Sequence, residues 1–485
     1  MDQSRKRVVR QLLCAAVLSL GLLAGLAPLS EAHCAETGDA HAFDEQLLYH
    51  RAFELALWAM PATDSFATRE AVIRDLGGKP NDVAINSKPM NSDIHLVALQ
   101  TQTPYLQGAL DLKDGPVVVE ILPATSESHL YGVISDAWQR PLEDIDVGLD
   151  GWDKGKGAKY LLLPPGYEGD VPDGYKAMRS RTYLLNFLIR SISTAGWDAA
   201  VKYGYTMKVY PLSKAADPPK TNFLDMSATV YRAAPVFDAD YFKLIDMLVQ
   251  EEPINDYDKN MLGMASYVGI EKGKSFNPDE KTWKILDRAA KAAQDYLIRV
   301  SNGISWVPAE GQPGWTRFNL YADDIKEGRR YVYENANGLI DYQRRAAIDY
   351  WAYCMPAVLG SGTMYNVAHV DADDNPIDSS KNYQIRMPKD FPARNFWSVF
   401  AYDSRTRTFI ANGTNGRHLS SNDQLVKNDD GSTDIYIGPT APEGMETNWI
   451  ETIPGSDIFI GLRTYGPEKS VLEGKYKIPR FELVK

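Results

Sequence analysis

A multidomain α+β protein is expected: two β-rich domains, each sandwich-like or jelly-roll-like, with a helical array associated with the first. Three observations predict it. At 485 residues the chain exceeds what a single core usually serves. Its hydrophobic period shifts from that of a strand to that of a helix near Tyr183, and back to that of a strand after Gly362. Short apolar runs bounded by Gly, Pro, Asn and Asp fill both ends, as in hairpin-linked strands.

The elements follow in chain order. Residues 1–32 set Arg5, Lys6, Arg7 and Arg10 ahead of the apolar run 12–26, with small Ser30 and Ala32 near its end. That is the form of a signal peptide cleaved before His33, which in a Gram-negative cell delivers the protein to the periplasm with no stable membrane insertion after cleavage. Residues 43–180 open with an amphipathic helix over 43–76, punctuated by Pro61 and Gly77. Strands follow in "HLVALQTQTPYLQGALDL", "GPVVVEILPATSESHLYGVISDAW" and "AKYLLLPPGYEG". Residues 181–360 read as a mostly helical array, in "YLLNFLIRSI", "DADYFKLIDMLVQEEP", "KNMLGMASYVGI" and "NPDEKTWKILDRAAKAAQDYLIRV". In the last of these Pro278 opens the helix, and Asp279 and Glu280 complement its free amides. "RRAAIDYWAYCMPAVLG" predicts one more long apolar helix, stopped by Pro356 and Gly360. Residues 361–485 return to short strands and read as a C-terminal β-sandwich.

The bulk numbers exclude several partners. A net charge of -12, nearer about -14 once the basic head is removed, repels phosphate backbones and anionic lipid heads, so no nucleic acid is expected. Of Cys14, Cys34 and Cys354, at most two survive processing, too few for a disulfide framework. Ten Trp and 27 Tyr exceed what a core needs, and their flat faces with polar edges suit a small-molecule or carbohydrate ligand. Association into a homo-oligomer is left open.

The chain contains no His-Glu-x-x-His element, Gly-x-Ser-x-Gly elbow, phosphate loop or dinucleotide fingerprint. Its histidines, His33, His41, His50, His95, His129, His369 and His418, are too scattered for a tight chelate. No cofactor is expected. The loop with Asp371, Asp373 and Asp374 offers oxygens at the spacing a calcium ion uses, with a solvated turn as the plainer account. Asp430-Gly431 reads as a tight turn into "DIYIG".

Two groups of candidate site residues emerge. Asp93, His95, His129 and Asp136 lie on neighbouring short elements and pair imidazoles with carboxylates, the chemistry of acid and base catalysis; Tyr105 and Trp138 accompany them as ligand-binding candidates. In the C-terminal half, Asn448, Trp449, Arg463 and Tyr465 could set an amide, a stacking face, a guanidinium and a phenol around a ligand. Arg463 and Tyr465 share one face of a strand because side chains alternate. The alternative is structural: Trp449 plugging the sandwich core, and Arg463 paired with Asp429 or Asp430. These groups lean toward a hydrolase acting on a small organic or sugar-like compound in an interdomain cleft, with a noncatalytic carbohydrate or small-molecule binding protein as the other reading.

"FWSVFAYDSRTRTFIANG", "NDDGSTDIYIGPTAPEGMETNWIETIPG" and "FIGLRTYGPEKSVLEGKYKIPRFE" resemble the C-terminal part of bacterial proteins that pair a DUF1254 region with a DUF1214 region. "GPVVVEILP" and "HLYGVISDAW", after "TPYLQGALDL", resemble the DUF1254 partner, from whose usual pattern the chain departs at "QTQTPYLQ". The resemblance implies an envelope protein with jelly-roll-like β domains and a helical array.

Overall fold

Strand Ile458–Pro467 shows how side-chain alternation is used. Ile460 and Leu462 point into one core and Phe459 into another, so both faces are buried. Strand Leu184–Ser193 behaves alike, with Leu185, Phe187 and Ile189 on one side and Leu184 and Leu188 on the other. Strands buried on both faces belong inside a layered stack, and these two lie within two six-stranded sheets.

The computed structural model describes residues 37–255, 258–318, 333, 337–355, 357, 363–410 and 418–484. The first six-stranded sheet runs Phe223–Asp225, Val83–Ile85, Tyr105–Asp111, Leu184–Ser193, Ser128–Asp136 and Val147–Gly148, antiparallel except for its first pair. It shares one core with a four-stranded sheet of Lys208–Pro211, Val117–Ile121, Ala158–Leu163 and Tyr175–Arg179. The second six-stranded sheet is antiparallel throughout: Trp306–Pro308, Trp315–Phe318, Thr363–Ala368, Ile458–Pro467, Ala393–Asp403 and Leu419–Ser420. Its own four-stranded partner consists of Trp449–Glu451, Thr433–Gly438, Tyr383–Met387 and Glu482–Leu483. The architecture is therefore mixed α/β, and among the described residues no sheet closes into a barrel or jelly roll.

The remaining faces of the two six-stranded sheets meet in a single core. Ala109 and Val133 of the first and Val367 and Phe400 of the second join residues of helices Thr37–Trp58, Met60–Arg74, Tyr241–Glu251, Glu280–Val300 and Tyr342–Asp349. At its centre Asp64 and Arg407 form a bidentate pair at 3.2 and 3.0 Å, each 1% exposed. Residues Leu47–Lys485 form one compact unit, and helix Thr37–Trp58 begins ahead of it.

Three elements depart from the sequence expectation. The helix over 43–76 divides at Ala59 and Pro61, and its second half, Met60–Arg74, is buried on nearly every side because strands and helices surround it. "LLNFLIRSIS" is a strand at the heart of the first sheet, not the start of a helical array; a fully buried strand carries the same continuous apolar run as a buried helix. The long helix expected over 344–360 is only Tyr342–Asp349, begun by the Asp341 carboxylate accepting from the Arg344 amide at 2.9 Å. The expected signal peptide lies outside the described residues. No helix among the described residues is long and apolar enough to cross a membrane.

Candidate functional site

A cleft of about 1490 Å³ lies against the inward faces of both six-stranded sheets. His129, Tyr131 and Arg190 line it from the first sheet, and Thr363, Phe396 and Tyr465 from the second. The strand register explains the first group. Arg190 stands directly across from Tyr105 on one side and Tyr131 on the other, and Ile192 stands across from His129, so these side chains share one face.

Arg190 is partly buried, and its guanidinium is held in place by one phenol: Nε donates to the Tyr105 hydroxyl at 3.2 Å, and the group lies 5.3 Å from that ring's centre. Among the described residues it makes no ion pair and no other hydrogen bond. On the opposite wall Tyr465 stacks on Phe396 with ring centres 4.0 Å apart, and its buried hydroxyl has no partner among the described residues.

Arg463, two residues along the same strand face, is fully enclosed. It donates to the carbonyls of Ala98 at 2.8 Å and Leu99 at 3.3 Å and to the Tyr402 hydroxyl at 2.5 Å, and it lies 4.8 Å from the Tyr365 ring centre. Tyr402 in turn donates to the Leu99 carbonyl. Arg463 thus ties the segment ahead of "QTQTPY" to the second sheet. It does not pair with Asp430, which bonds Arg386 at 3.0 Å on the surface. That structural alternative is corrected in detail: the guanidinium is structural, but its partners are carbonyls and phenols.

The charged form is disfavoured in both cleft imidazoles. Burial lowers the His129 pKa, partly offset by the Asp150 carboxylate, and both residues line the cleft. Burial, then the charge of Arg463, drives that of His418 well below its usual value; His418 Nδ1 sits 3.5 Å from the guanidinium.

The acid and base group expected from the sequence is not assembled. His129 and Asp136 are the second and last residues of strand Ser128–Asp136, on opposite faces and roughly 24 Å apart at the usual rise. Asp136 is instead a turn staple, accepting from the amides of Trp138 at 2.9 Å and Arg140 at 3.0 Å. His95 belongs to a separate two-stranded ladder with Tyr231–Arg232, and Asp93 is exposed beside it. Trp138 packs edge-on against Trp58 with ring centres 5.1 Å apart, not beside the cleft. Tyr105 anchors Arg190.

In the other group, Asn448 is fully buried and satisfied, bridging Val426 and Asp434 through its side chain at 2.8 to 2.9 Å, which makes it a clamp and not a ligand contact. Trp449 lines the cleft half-buried, its indole donating to the Gly438 carbonyl at 2.9 Å. Asp371 likewise serves its own turn, accepting from the amides of Asp373 and Asn375, both at 2.9 Å, while Asp374 meets Arg480. Among the described residues no group of three or more His, Cys, Asp or Glu could hold a metal ion. Arg190 was missed because its strand read as helix; the alternation of Asn186 and Arg190 with apolar residues was the available signal.

Fold and site together define a mixed α/β protein of two sheet pairs, with a cleft walled by both. Its chain matches two families: residues 80–211 match DUF1254 and residues 362–469 match DUF1214, each described as a protein of unknown function. The first contributes Arg190 and His129, the second Phe396 and Tyr465. The VPA0106 protein from Vibrio parahaemolyticus, known from its crystal structure, is 17% identical with a TM-score of 0.51, over 91% of this chain and 100% of that one, a likeness of fold. An uncharacterised protein from Burkholderia cenocepacia, 13% identical, covers 92% of this chain and 97% of its own with a TM-score of 0.39. No curated protein matches the chain.

Proposed function

We propose that the protein binds a small organic or sugar-like compound in the cleft between its two six-stranded sheets. The observation that carries this reading is the make-up of the walls: two separate parts of the chain contribute aromatic faces, Trp449 and Phe396 among them, beside a few polar groups. Each six-on-four sheet pair acts as a β-sandwich, the rigid support such a site requires. The basic head and apolar run at the start of the chain support a periplasmic location, where scavenged small molecules are met.

Titration calorimetry with a panel of sugars and small organic compounds tests the binding. A ligand bound by the parent should bind W449A several-fold more weakly, and undiminished binding would move the site away from the cleft. A hydrolytic role for the same cleft rests on His129, a neutral imidazole with the Asp150 carboxylate as neighbour, suited to accept a proton from water. Ester, glycoside, amide and lactone substrates run on H129A and H95A distinguish the roles. Hydrolysis lost in H129A and kept in H95A supports the enzyme, and no turnover on any class leaves the binder.

A further inference from the structure

Arg190 presents a fork whose two terminal nitrogens no described residue uses. Its strand, Leu184–Ser193, is buried on both faces for most of its length, and Arg190 comes near the end where the inward face reaches the cleft. One of its three nitrogens is spent on the Tyr105 hydroxyl at 3.2 Å, which with the ring at 5.3 Å fixes the plane of the guanidinium. The two terminal nitrogens have no protein partner among the described residues. A chain with 64 acidic side chains does not lack carboxylates to offer, and Asp150, Asp423, Glu446 and Glu451 also line this cleft, yet among the described residues Arg190 forms an ion pair with none of them. Leaving a charge partly buried and unpaired is costly unless something else meets it.

The surroundings favour one class of partner. Tyr105 and Tyr131 flank Arg190 across the sheet, and Tyr465 lies on the facing wall with its hydroxyl unpartnered. A planar fork with two parallel donors matches a carboxylate, and a phenol hydroxyl beside it can donate to the same oxygens. The stacked Phe396 and half-buried Trp449 offer apolar area to the rest of the molecule. We infer that the cleft takes an organic carboxylate, its anionic end on the free fork of Arg190 and its apolar or aromatic body against Phe396 and Trp449. This rests on the binding role proposed above and adds the charge class of the ligand. The acidic surface of the protein does not assist by long-range attraction, so recognition is local and depends on the fork, with phenols in place of carboxylates as its neighbours.

Matched pairs of compounds test it: benzoate against benzamide and hexanoate against hexanamide, titrated calorimetrically into the purified protein, with inorganic phosphate as a third probe. The carboxylates should bind about tenfold more tightly than their amides, the scale of a charge-assisted pair. R190Q should bring that ratio near one, while R190K, which keeps the charge without the fork, should retain part of it; thermal melts establish that each variant is folded, and R190K serves where R190Q is not. W449A should weaken acid and amide alike and keep their ratio. Equal binding of acids and amides, weakened by W449A, would overturn the carboxylate assignment while leaving the cleft as the binding site. A preference for acids that persists in both Arg190 variants would also overturn it. Phosphate displacing benzoate with equal strength would assign the fork to an inorganic anion instead. Failure of all four organic probes to bind would count against the carboxylate and the cleft together.

Discussion

Arg463 and Trp449 answer differently to truncation, because one is enclosed and the other half exposed. R463A strips the carbonyls of Ala98 and Leu99 of a charged donor and opens a void beneath Tyr365 and Phe400, a loss of about 3 kcal/mol. W449A removes partial apolar contact and one hydrogen bond, a loss under about 2 kcal/mol. Thermal melts should therefore show the larger drop in R463A. A larger drop in W449A would make Trp449 a core plug and withdraw it from the cleft wall. That Arg463 and Tyr465 share a face was legible from alternation alone. Which of them reaches the cleft was not, since it depends on how far the loop 96–100 extends over the strand.

At the scale of elements, Glu252 joins the end of helix Tyr241–Glu251 to the start of strand Leu184–Ser193. Its carboxylate accepts from the amides of Tyr183 at 2.6 Å and Leu184 at 2.8 Å. Burial pushes its pKa up from 4.5 to about 7, although those amides pull it down. A folded-state value above the unfolded one gives a contribution that is complete below about pH 4.5 and lost as pH rises through about 7. The stability of the parent should thus fall by roughly 3 kcal/mol relative to E252Q between pH 4.5 and 8, read from urea midpoints at each pH. A constant difference across that range would mean that Glu252 titrates alike in the folded and unfolded states. Helices Tyr241–Glu251, Lys259–Tyr267 and Glu280–Val300 were legible from periodicity, because each shows one face to solvent. Strand Leu184–Ser193 and helix Met60–Arg74 show little or no solvent face, so neither carries the pattern that would name it.

Across the whole molecule, residues distant in sequence hold the N-terminal and C-terminal halves of the chain together. Asp64 and Arg407 are 343 positions apart and both 1% exposed, and Thr408 donates to the Ile94 carbonyl at 3.0 Å nearby. D64A leaves a buried guanidinium without its counter-ion, at a cost of about 3 to 5 kcal/mol. Because that pair sits in the core common to both halves, urea unfolding of the parent and of D64A should remain one transition, coincident by tryptophan fluorescence and circular dichroism, with the midpoint lowered in the variant. Two separated transitions would show that the halves are stabilised independently.

The sequence by itself determined the family resemblance, the β-rich texture of both ends, the amphipathic helices between them and the shared face of Arg463 and Tyr465, because each of these is set by neighbours a few residues apart. Only the tertiary structure decided that each six-stranded sheet is buried on both sides, that Asn448 is spent on backbone groups and that Arg190 opens on the cleft. Those outcomes depend on which elements lie beside which, and residues 343 to 365 positions apart along the chain are joined by contacts whose free energy no local window contains.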